Sequence, residues 1–144
     1  MKLDMNKAGV CFARVLIAII FLLNALGIID QSKPVQEMIA RGVPAMVAPL
    51  AGWSGRILEL VAGLALLFGV RQRLAALALA AFMVPATLVA HPFWMFFGTS
   101  ELQIQLINAC KNLAIIGGLI FIASTAVDSQ QAVRDSRHRS AKAA

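Results

Sequence analysis

The sequence predicts an all-α, integral membrane four-helix bundle with a short amphipathic helix in its first outer loop. Three observations carry this: a very apolar composition, four apolar runs of spanning length, and basic residues gathered at the ends of those runs. Of the 144 residues, 60% are hydrophobic and only 14% charged, against about 45–50% and 25% in soluble domains. So little polar surface cannot cover a water-facing globule. The net charge of +6 does not point to nucleic acid, because the basic residues form no stripe on one face. Their placement is a topology signal, and the expected surroundings are a lipid bilayer.

A bilayer core needs about 20 mostly apolar residues per helix. After an N-terminal segment, residues 1–9, the first span covers approximately 10–29, "VCFARVLIAIIFLLNALGII". The opening "MKLDMNK" resembles a secretory signal, but Arg14 interrupts the run and the apolar stretch continues to Ile29, so a retained span is expected. The loop "SKPVQEMIARGVP" carries Ser32 as a helix cap, Pro34 in a first turn and Gly42 at an end. Val35, Met38 and Ile39 would share the apolar face of a short helix lying on the membrane surface. The second span, approximately 50–70, follows Pro49. "RQR" at 71–73 makes a tight hairpin to the third, approximately 72–91, which Pro85 should bend. The fourth covers approximately 102–124, and residues 125–144 form a polar, basic tail expected to be mobile.

Lys2, Lys7, Arg14, Arg71, Arg73, Arg134, Arg137, Arg139 and Lys142 fall on one side of this arrangement. Only Lys33 and Arg41 fall in the opposite loops. The positive-inside rule then puts both termini in the cytoplasm and Trp53 and Trp94 near the outer interface.

The polar residues inside the spans are the route to function. A lysine within a membrane helix costs about 2.5–3.5 kcal/mol on insertion scales. Lys111 and Glu59 each lie about nine residues, roughly 13 Å, from the outer ends of their helices. Matched depth predicts an ion pair between them, with Asn112 nearby. Arg56 lies one turn above Glu59, and Asn108 one turn above Lys111. Glu101, Gln105, Asn108 and Asn112 form a stripe on the fourth span; Asn24 closes the first and His91 the third. Together they predict an outward-opening polar pocket that binds a ligand or relays protons. A buried network that only fixes helix register is the alternative. Gly55 and Gly63, Ala76 and Ala80, and Ala114 and Gly118 recur at helix-packing spacing.

Cys11 and Cys110 do not form a CxxC pair, and the expected depths put them beyond disulfide reach. Only two histidines are present, His138 in the tail. No intrinsic cofactor, metal site or catalytic residue is readable.

In order along residues 12–123, "RVLIAIIFLLNALG", "GVP", "LELVAGLALLFGVRQRLAALALA", His91 and "KNLAIIGGLIFI" resemble the DoxX family of small four-helix membrane proteins. The resemblance implies a bacterial-type cytoplasmic (inner) membrane protein with a quinone or redox connection, since the family name derives from a membrane subunit of a thiosulfate:quinone oxidoreductase. The function expected is an accessory membrane subunit that binds a quinone or similar molecule and works with a soluble or membrane redox partner. A non-enzymatic scaffold and a transporter built as a homo-oligomer are the alternatives.

Overall fold

Five α-helices and one 3-10 turn account for nearly all of the computed structural model, which describes the backbone of residues 5–29 and 32–142 and the side chains of 8–29 and 34–126. The helices are α1 (Met5–Ala25), α2 (Ser32–Ala40), α3 (Val47–Phe68), α4 (Gln72–Ala90) and α5 (Leu102–Lys142), with the 3-10 turn at Phe93–Phe96. There is no strand among the described residues. Helices α1, α3, α4 and α5 each contain a stretch long and apolar enough to cross a membrane. Helix α1 packs mainly on α3, and α5 mainly on α4; α3 and α4 join the two pairs.

The bundle has two dissimilar ends. At the hairpin end, α3 stops at Gly69, whose φ of 75° is left-handed. There the Val70 amide donates to the Ala65 carbonyl and the Gly69 amide to that of Leu66, closing the last turn. The Arg14 guanidinium lies over this turn, close enough that a Cβ at Gly69 would sit 3.0 Å from Nη1. A cation belongs there, at the negative end of the helix dipole. Around and above the turn lies an apolar core of Ala18, Phe21, Leu66, Leu79, Leu119 and Ile122 with small alanines between them. Gly63 receives Leu22 and Phe21, and Gly118 receives Ile17, so the small residues do admit neighbouring helices closely. Ala76 and Ala80 are buried in the same core, whereas Ala114 faces outward.

At the other end α2 crosses α3 and α4. It packs on protein: a Cβ at Gly52 would meet Val35 Cγ2 at 3.1 Å. Gly42 ends α2, with the Val43 amide donating to the Met38 carbonyl. The Ser32 side chain, expected as the cap, lies outside the described residues, as do Met1–Asp4. Helix α4 runs unbroken through Pro85. Trp53 and Trp94 are both exposed toward this end.

Helix α5 continues beyond its apolar stretch to Lys142, 41 residues in all. Cys11 and Cys110 are free and exposed.

Candidate ligand site within the membrane

The polar residues expected in one pocket assemble toward the α2 end, and their hydrogen bonds fall into two groups. The first joins α1 to α3. Glu59 is buried, 7% exposed, and its Oε1 accepts a hydrogen bond from Asn24 Nδ2 at 3.3 Å. Arg56, one turn away, is the cation whose field reaches this carboxylate. Its guanidinium is turned elsewhere: Cζ stands 5.4 Å from the centre of the Trp53 ring. It also fills the space beside Gly27, where a Cβ would lie 2.5 Å from Nη2. Gly27 has a φ of 74°, so both its conformation and its missing side chain are required. Arg56 Nε is buried and has no hydrogen-bond partner.

The second group joins α4 to α5. Asn112 Nδ2 donates to Thr87 Oγ1 at 3.0 Å, and Thr87 Oγ1 donates to the Met83 carbonyl at 2.6 Å. Nearer the α2 end, His91 Nδ1 and Gln105 Oε1 are 3.0 Å apart. Asn108 is half-buried on the same side of α5 as Gln105 and Asn112, while Glu101 is exposed at the start of that helix. Between the two groups, the Phe82 ring lies against Gly55, with Cζ 2.9 Å from where a Cβ would be. Arg14 also has a buried Nε without a partner, but at the hairpin end.

The predicted Glu59–Lys111 pair does not form. Lys111 is exposed, and the partner of Glu59 is Asn24. Matched depth was the wrong criterion because it ignored angle. Helix α5 turns Ala109 and Asn112 inward, and a residue next to Asn112 is rotated by about 100° away from it. Lys111 therefore projects out of the bundle. Thr87, which the sequence reading missed, carries the weakest signal of the group, a lone hydroxyl among apolar residues. Its place four residues before His91 and one turn beyond buried Met83 was the available clue.

The DoxX family model matches residues 9–92, more than half of the 144-residue chain. The chain belongs to the DoxX family. It is similar to the inner membrane protein YqjF of Escherichia coli (strain K12), 34% identical over 122 residues that cover 84% of this chain and 86% of that protein. No solved structure matches the chain. The family match takes in α1 to α4 and so includes Asn24, Arg56, Glu59, Thr87 and His91; Gln105, Asn108 and Asn112 on α5 lie beyond it.

Chemically, the α1–α3 group sets a buried carboxyl, held by Asn24, one turn from an arginine whose buried Nε donor has no hydrogen-bond partner. Among the described residues, no three His, Cys, Asp or Glu side chains come together as a metal site.

Proposed function

We propose that this DoxX-family protein is an inner-membrane subunit that binds a quinone-like molecule between α1, α3 and α2, and passes electrons to or from a separate redox partner. The observation that carries this reading is the orphaned Arg56 Nε one turn from buried Glu59. An unmet donor in a membrane interior costs free energy unless an acceptor arrives. A quinone supplies the two-electron chemistry and two carbonyl acceptors. The protein supplies the rest: Arg56 orients a carbonyl, and Glu59, held by Asn24, moves the proton. A purely structural role is favoured by a different observation, that Asn24–Glu59, Asn112–Thr87 and His91–Gln105 each join two elements.

Trp53, stacked under Arg56, reports on ligand binding. In lipid nanodiscs, a short-chain quinone should quench its fluorescence saturably, in wild type and in Trp94→Phe alike. Arg56→Gln should weaken the binding about tenfold, the loss of one charge-assisted hydrogen bond. Quenching that rises linearly and equally in both proteins would leave only the structural role.

The orientation proposed has both termini in the cytoplasm, supported by the side of the basic residues. Reporter fusions at Gln36 and after Ala144 should then report opposite sides; the same side for both rejects it.

A further inference from the structure

We propose that the outward side of α5 around Lys111 docks a transmembrane helix of another protein, one that carries a carboxylate at the depth of Lys111. This does not rest on the ligand-site reading, because Lys111 points away from the residues that form that site.

Lys111 is exposed and forms no hydrogen bond or ion pair with any described residue. It lies inside the Leu102–Ala126 span, roughly 13 Å from one end and 22 Å from the other. An ammonium held at that depth without a partner costs free energy that an opposite charge there would offset. Toward the nearer end, one turn away, lie exposed Ile107 and half-buried Asn108, and two turns away exposed Ile104, so the way to the headgroups runs over largely apolar surface.

Beside Lys111 runs a seam: Ile107, Cys110, Ala114, Gly117, Phe121 and Ser124, every one exposed. They are spaced alternately by three and four residues, the repeat at which one helix packs along another. The middle of the seam is small, which lets a second backbone approach closely. Gly117 is informative here. A Cβ on it would meet nothing within 4 Å, whereas one on neighbouring Gly118 would meet Ile17 at 2.8 Å. Gly118 serves packing inside this chain; Gly117 serves none, although glycine weakens a helix interior.

A second copy of the chain does not complete this surface. Its acidic residues are Asp4, Asp30, Glu37, Glu59, Glu101, Asp128 and Asp135, and among them only Glu59 lies in the interior of a span. That carboxylate is buried and bonded to Asn24. A symmetric α5 pair would instead bring two lysines to one seam. The complementary occupant is a foreign membrane helix bearing Asp or Glu, whose charge and that of Lys111 cancel where neither could be hydrated.

Cys110, within the seam, allows a direct test. The full chain is co-reconstituted in phosphatidylcholine vesicles with synthetic leucine–alanine helices of about 24 residues. Each helix carries one cysteine and, one turn away at matching depth, either Glu or Gln. Oxidation is followed by mass spectrometry of the cross-linked peptides. The Glu helix should cross-link to Cys110 about fivefold faster than the Gln helix, in keeping with polar pairs in membranes. Lys111→Leu should abolish that preference, Lys111→Arg should retain it, and Gly117→Leu should slow both helices. If Lys111→Leu does not fold, the Glu-to-Gln comparison on wild type and Lys111→Arg still decides. Equal rates for the two helices, a preference that survives Lys111→Leu, or cross-linking mainly between two Cys110 of separate copies would overturn the proposal.

Discussion

Asn24→Leu lowers the thermal stability of the bundle, and adding Glu59→Leu restores most of it. The single change removes the amide that donates to Glu59 Oε1 at 3.3 Å and leaves a buried carboxylate beside an apolar side chain. Leaving a buried group without its hydrogen bond costs about 1–3 kcal/mol, and more when that group is charged, because it keeps its desolvation penalty. Replacing both partners with leucine removes that penalty and can be close to neutral. Thermal unfolding in detergent of wild type, both single variants and the double variant measures the coupling between the two sites. Lys111→Leu supplies the contrast. Since Lys111 faces outward, its effect should add to that of Glu59→Leu within about 0.5 kcal/mol, as for sites that share no partner. Additive Asn24 and Glu59 changes, or strong coupling of Glu59 to Lys111, would refute the arrangement of α1, α3 and α5 described above.

Gly69→Val destabilises the hairpin end more than any neighbouring substitution. The position needs a φ of 75°, which costs a non-glycine residue about 1–2 kcal/mol and a β-branched one more. The new Cβ would also stand 3.0 Å from both Arg14 Nη1 and Gln72 Nε2, displacing the cation from the end of α3 and disturbing the Gln72 bond to the Gly69 carbonyl. Together these effects should reach about 2–4 kcal/mol. Gly69→Ala brings the same Cβ to the same place and should lose most of this, less the extra cost of the β-branch. Val70→Ala, at an exposed position, should be near neutral. The same unfolding measurement checks all three, and a Gly69→Val protein as stable as wild type would remove Arg14 from its assigned place.

Four spans, the short loop helix and the gathering of polar residues toward one end were all legible from apolar run length and cap residues. These are one-dimensional signals, and depth is one-dimensional too. What the sequence reading lacked was angle. Glu59 and Lys111 match in depth yet face different surroundings, because the inward side of α5 is set by its packing against α4 and not by charge. Asn24 was recognised as a neighbour in depth but not as the partner, since a neutral amide beside a carboxylate is a weaker pattern than an opposite charge. Thr87 was missed because its hydroxyl lies between the Met83 carbonyl and the Asn112 amide, and one threonine in an apolar run shows neither bond. The continuation of α5 was hidden for another reason. Residues after Thr125 are polar, but a helix extended from a formed span bears no nucleation cost, and Gln, Ala and Arg propagate it readily.

That continuation makes α5 a mechanical element. From Ala126 to Lys142 the helix runs a further 24 Å or so with no glycine or proline at which to swivel. A shaft of this kind transmits twist. If a helix docking along the Lys111 seam turns α5 about its long axis, the far segment sweeps through the same angle outside the bilayer. Binding inside the membrane would thereby be displayed as a change of bearing in water, with no ligand or electron passing between the two places.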